Sequence, residues 1–123
     1  MNRIIGKLSK QFALLLGVPL PEDTNIYFGD SNLNHMKTSH PEAFKRYGAE
    51  LINIIAYPDY IGHRDDGTFE YIKEFTENGE HVKVAVRMSS STKLFARSLY
   101  VLNDEKVNSY ITKSTLKRAS LTE

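Results

Sequence analysis

His35 and His40 stand five residues apart with Lys37 between them, just where one helical pattern ends and another begins. An imidazole changes charge near neutral pH, so either ring can move a proton to or from a ribose hydroxyl. Five residues do not place two side chains close together on one helix face, but a break before Pro41 would bring them together. The same residues also fit plainer roles, His40 as a helix cap and His35 as a surface side chain.

Cations supply the second half of such chemistry. His81–Met88 alternates, with Val82, Val84, Val86 and Met88 on one side and His81, Lys83, Ala85 and Arg87 on the other. With the valine side packed on helices, Lys83 and Arg87 share an open sheet face, joined by Lys73 from the strand before and Arg97 from the strand after. Guanidinium groups suit a phosphate that gains charge in a transition state, although a solvated strand face has the same pattern. A one-residue slip would bury Arg97. Further on, Ser109–Thr115 offers hydroxyls, among them Thr112, with Lys113 for phosphate oxygens and Tyr110 for stacking on a base. Asp59, His63, Asp65 and Asp66 could hold a divalent metal, but Asp65-Asp66-Gly67 between two strands reads more simply as a hairpin turn. Phosphate-binding loops, dinucleotide fingerprints, HExxH and GxSxG are all missing from the chain.

The elements that must position these groups follow from periodicity. Ile4, Ile5, Leu8, Phe12, Leu15 and Leu16 recur at helical spacing, so Arg3 to Leu16 is expected as a helix, ended by Gly17, Pro19 and Pro21. Asn25–Phe28 is expected as an edge strand and Asn32–Lys37 as a helix capped by Ser31. Ser39-His40-Pro41-Glu42 starts a third helix with Pro41 in the first turn, and its stripe of Phe44, Tyr47, Leu51, Ile52 and Ile55 runs to Pro58. The period then changes. Tyr60–His63, Thr68–Phe75, His81–Met88 and Lys93–Leu102 read as strands, with turns at Arg64–Gly67 and Glu77–Gly79. Lys106–Thr112 is expected as a last strand, with no element after Lys113. Helices followed by an antiparallel meander argue an α+β fold, its N-terminal helices on one face of a four- to five-stranded sheet.

Length and composition fit this reading. A chain of 123 residues, 41% hydrophobic and 25% charged, matches one domain spanning 1–123. The absence of cysteine removes disulfides, thiolate nucleophiles and cysteine-ligated zinc. The longest apolar run, Phe12–Leu16, is too short for a bilayer, so no membrane partner is expected and the cytoplasm is the simplest compartment. Net charge is +1, but it is unevenly spread. Met1–Glu80 carries 8 basic and 12 acidic residues, and His81–Glu123 carries 8 and 3. A basic C-terminal half is a footprint for a polyanion, or a solvated surface with segregated charge.

Three stretches carry a family resemblance: Asn34–Pro41, Ala56–Tyr60 and Val82–Arg87, with the spacing on to Arg97–Tyr100 and Tyr110-Ile111. Together they resemble the phage-associated branch of the barnase–EndoU–colicin–RelE group, over about Ile26 to Lys117. The resemblance implies helices against a four-stranded antiparallel sheet and cleavage of RNA with no metal or other cofactor. It further implies 2′-hydroxyl attack that leaves a 2′,3′-cyclic phosphate, tRNA as the first RNA to consider, and a toxin-type role with a protein inhibitor as a second partner. His35 would then be general base or acid, with His40 as alternative. Arg87 would stabilise the phosphorane, and Thr112 would bond a phosphate oxygen. Lys37, Lys73, Lys83, Arg97, Tyr110 and Lys113 would bind substrate. The chain departs from barnase in showing no evident glutamate–histidine pair on its sheet. A non-catalytic RNA- or protein-binding module, and an accessory protein of a mobile element acting through assembly, are the competing readings.

Overall fold

The computed structural model describes residues 2–18, 20, 22–89, 93–112 and 116–119, without the side chains of 104, 111 and 112. Their elements run β1 (Arg3–Leu8), α1 (Lys10–Leu15), β2 (Thr24–Phe28), α2 (Asp30–Ser39), α3 (Pro41–Tyr47), a 3-10 turn at Gly48–Glu50, and α4 (Leu51–Ala56). After these come β3 (Tyr60–His63), β4 (Phe69–Phe75), β5 (Glu80–Met88), β6 (Leu94–Leu102), α5 (Asp104–Thr112) and β7 (Leu116–Arg118). The α+β class holds, but the sheet is larger than expected. Seven strands lie in the order β1-β2-β6-β5-β4-β3-β7, and β2 runs parallel to β6 in an otherwise antiparallel sheet.

Three expectations fail, each for a physical reason. Arg3–Leu16 is not one helix but a strand and a short helix. A register shift between Ile4 and Gly6 interrupts strand alternation. Ile5 and Leu8 therefore both point into the core, three residues apart, which mimics a helical repeat. Ser9 then starts α1 by accepting a 3.0 Å hydrogen bond from the Phe12 N–H. Second, Lys106–Thr112 belongs to helix α5, where Asn103 Oδ1 accepts the Lys106 N–H at 2.8 Å. Third, β2 is not an edge. It is covered by β1, while β7 pairs with the far side of β3.

The two sheet faces differ. On one, Val82, Val84 and Val86 pack with Ile54 and Ile55 of α4, with Met36 of α2 and Tyr47 of α3 in the same core. Pairing of β2 with β6 covers only Ile26-Tyr27 and Leu94-Phe95, and α2 and α3 lie against β6. On the other face α5 covers a smaller core of Ile72, Leu102, Val107 and Leu116. Beside α5 that second face carries Glu70, Lys83, Ala85 and Arg87. No helix among the described residues is long and apolar enough to cross a membrane.

Candidate functional site

Strand register fixes which side chains share the second face. Ile72 pairs with Lys83 and Lys83 with Tyr100, Glu70 pairs with Ala85 and Ala85 with Ser98, and Arg87 pairs with Phe95. Directly opposed residues point the same way, so Glu70, Lys83, Arg87 and Tyr100 all rise from one surface. Beside α5 this surface forms a cleft of about 310 Å3, lined in part by Arg64, Glu70, Lys83, Tyr100, Lys106 and Tyr110.

Glu70 and Lys83 form the floor. Both are buried, Glu70 at 2% and Lys83 at 5% exposure. Lys83 Nζ donates to Glu70 Oε2 at 2.6 Å, and Arg64 Nε donates to the same oxygen at 2.8 Å. A buried charge is tolerated only when paired and hydrogen-bonded, and here each group satisfies another. Burial pulls the Lys83 ammonium toward deprotonation, but hydrogen bonds with Glu70 and Tyr100 outweigh it and hold Lys83 above the ordinary lysine range. Its Nζ also lies 4.8 Å from the Tyr100 ring centre, and the Arg64 guanidinium lies 5.6 Å from that of Tyr110.

The rim adds a second ion pair. Arg87 Nη2 donates to Asp66 Oδ2 at 3.1 Å. Hydrogen bonds from the Thr68 hydroxyl and N–H, with Arg87 and Arg64 nearby, hold the Asp66 carboxyl below its usual range. The cleft and its rim therefore gather four cations (Arg64, Lys83, Arg87, Lys106) against two carboxylates (Asp66, Glu70). That excess suits an anionic ligand.

The two histidines part company. His40 stands at the N-cap position of α3 without a side-chain capping bond, and its ring lies 4.9 Å from that of Tyr100, which places an imidazole beside the cleft. His35 lies on the exposed side of α2, with Ser39 Oγ 3.4 Å from its ring nitrogens. The break before Pro41 does not pair it with His40 through any contact among the described residues. Lys37 is exposed in the last turn of α2.

Lys73 is a correction. It pairs with Val82, on the helix-covered face, and its Nζ donates to the Tyr57 carbonyl at 2.9 Å. It does not share a face with Lys83 and Arg87. Arg97 is exposed at the irregularity where Ala85 faces Ser98 and Val86 faces Ala96. It lines a groove of about 260 Å3 with Ser31, Asn32, Arg87, Ser89 and Phe95. The Thr112 side chain and the whole of Lys113 lie outside the described residues. In the β3–β4 turn, Asp66 Oδ1 accepts the Thr68 N–H at 3.0 Å, whereas Asp59, just before β3, accepts the Glu74 N–H at 2.7 Å through Oδ2. Among the described residues no three His, Asp or Glu side chains converge in a group that could hold a metal.

Glu70, Arg64, Asp66 and Tyr100 join the site without any motif to announce them. The available signal is alternation: Glu70 is in phase with Ile72 on β4, and an acidic residue on an otherwise cationic face marks an ion pair.

A family described as phage-Barnase-EndoU-ColicinE5/D-RelE like nuclease 3 matches residues 2–109. Neither the curated proteins nor the solved structures give a match to the chain.

Proposed function

The chain belongs to the phage-Barnase-EndoU-ColicinE5/D-RelE like nuclease 3 family, and on that premise we propose that it is an endoribonuclease that cleaves by 2′-hydroxyl attack. The observation that carries this reading is the cationic cleft on the open sheet face, with the ion-paired Glu70–Lys83–Arg64 floor and His40 at its edge. A scissile phosphate sits over Lys83 and Arg64, with Arg87 swinging from Asp66 onto its oxygens. The ribose O2′ attacks phosphorus as the P–O5′ bond breaks, leaving a 2′,3′-cyclic phosphate and a free 5′-hydroxyl. His40 is the imidazole placed to take the 2′-hydroxyl proton or to return one to the leaving 5′-oxygen. Lys83, held protonated, acts through its charge on the phosphorane and not as a base. Glu70 holds Lys83 and Arg64 in position. A toxin role in the cytoplasm, with a protein inhibitor covering the cleft, belongs to the same reading.

One observation favours binding without cleavage: Arg64, Lys83 and Arg87 are each already paired with a carboxylate. The two readings separate in one assay. Total tRNA is incubated with the protein in EDTA, beside His40→Ala, Arg87→Ala and His35→Ala. The expected result is fragments ending in 2′,3′-cyclic phosphate, slowed by about 10²- to 10⁴-fold in His40→Ala, strongly reduced in Arg87→Ala and retained in His35→Ala. Full cleavage by both His40→Ala and Arg87→Ala would overturn the assignment, and intact RNA that is nevertheless bound would favour the binding module.

A further inference from the structure

Tyr27 and Phe95 are neighbours across the one parallel pairing of the sheet, where Tyr27 is the register partner of Phe95. Phe95 is opposite Arg87, so both rings rise from the face that carries the cleft. Their centres are 5.9 Å apart and their planes are tilted by 40°. Both are half-buried, and neither belongs to either apolar core or packs against one among the described residues. Aromatic rings left off both cores are not explained by folding.

Cations surround them. Lys93 Nζ lies 5.3 Å from the Tyr27 ring centre. Arg87 stands opposite Phe95, and Arg97 lines a groove with both. Arg87 also reaches Asp66 in the cleft, so the rings begin one register step from the proposed reaction site. Aromatic faces flanked by basic side chains form the platform on which successive unpaired bases stack while their phosphates are neutralised. A paired base keeps its faces inside the helix and cannot use such a platform.

We propose that Tyr27 and Phe95 form a stacking platform for unpaired nucleotides beside the cleaved bond, a proposal that rests on the ribonuclease reading for its position and names single-stranded RNA as the substrate class. Lys93, Arg87 and Arg97 hold the backbone, and the two rings hold the bases. Recognition of this kind accepts every base, because each has a π-face.

The test uses the full chain and a fluorescent 2′-O-methyl hexanucleotide, which cannot be cleaved by 2′-hydroxyl attack, with anisotropy as the readout. An abasic hexanucleotide of the same backbone and the hexanucleotide paired to its complement serve as comparisons. Binding of the single strand is expected to exceed that of both by about fivefold or more, with a similar loss in Phe95→Leu and a change within about twofold in Tyr27→Phe, which keeps the ring. Equal binding of the intact and abasic strands to the unaltered protein would overturn the proposal, whatever the variants do, and would assign the rings to packing or to a protein contact. Because the ligand is uncleavable, base-dependent binding in a protein that cuts no RNA would remove the ribonuclease reading and leave the platform standing. Cleavage with base-independent binding would do the reverse.

Discussion

Lys83 Nζ lies 2.6 Å from Glu70 Oε2 with both side chains almost fully buried, so the floor of the cleft is a charge pair in which Lys83 depends on Glu70 while Glu70 also holds Arg64. Removing one partner of a buried pair strands the other and costs about 3–5 kcal/mol. Glu70→Ala, which takes the carboxylate from buried Lys83, should be destabilised by that order in denaturant unfolding, and Lys83→Ala by less because Arg64 still pairs with Glu70, whereas Glu70→Gln with Lys83→Met should recover much of the loss. Two single variants with unchanged midpoints would show that the pair is not desolvated. The Lys83 pKa is raised in the folded chain, so its contribution is fully present below the unfolded lysine value of about 10.4. It is lost as pH rises through the folded value. Unfolding followed above pH 10 should show a steeper alkaline limb in the parent than in Lys83→Met, where the raised Tyr71 and Tyr47 hydroxyls still contribute one.

At the start of β5, on the helix-covered face, acid should act through Glu80. Arg46 and the Tyr47 hydroxyl of α3 both donate to its carboxylate, Tyr47 at 2.6 Å, and they hold it below the ordinary glutamate range, Arg46 first. A lowered folded pKa gives stability that is present above the unfolded value of about 4.3 and disappears as pH falls through the folded one. Melting temperature measured from pH 6 down to pH 2 should fall less steeply in Glu80→Gln than in the parent. Parallel curves would remove this clamp from the acid response.

The sequence makes these sites legible to very different degrees. The β4–β5–β6 meander follows from alternation alone, because Val82, Val84 and Val86 face a core with nothing to interrupt their period. Glu77-Asn78-Gly79 is a turn for a local reason, with Gly79 at φ 64°. The N-terminal strand is illegible because its irregularity at Ile5 counterfeits a helical repeat, and only the tertiary contact with α4 resolves it. Helix α5 carries a local signal: Asn103 before Asp104 and Glu105 is a cap followed by an acidic first turn. Strand β7 has three residues and gains its order from β3. For the site, alternation puts Lys83 and Arg87 on one face but cannot show that Glu70 neutralises Lys83. Lys73 goes astray because which residue of β4 opposes which of β5 is set by the hairpin register.

The closeness of β1 to α4 rests on a missing side chain. A Cβ on Gly6 would lie 2.6 Å from Ile55 Cγ2, and Ile55 is itself 2% exposed and β-branched, with little freedom to move. The requirement is space and not backbone conformation, since the positive-φ glycines described are Gly17, Gly67 and Gly79. Gly6→Ala should therefore destabilise by about 1–3 kcal/mol through overpacking, and Ile55→Leu in the same chain, which removes Cγ2 while keeping the volume, should restore part of it. A Gly6→Ala chain as stable as the parent would mean that β1 shifts at no cost.

Tyr71 poses the opposite case, a group whose removal should do no harm. Its ring packs in the main core at 1% exposure, and among the described residues its hydroxyl has no hydrogen-bond partner. Burial alone pushes the Tyr71 hydroxyl well above the ordinary tyrosine range. A buried hydroxyl without a partner keeps its desolvation cost of about 1–3 kcal/mol with nothing to offset it. Tyr71→Phe retains the ring and removes the cost, so its unfolding midpoint should equal or exceed that of the parent, with the proposed RNA cleavage unaffected because Tyr71 pairs with Val84 on the helix-covered face. A loss of about 1 kcal/mol or more would instead show that the hydroxyl is satisfied by an internal water, which would be worth keeping at that depth.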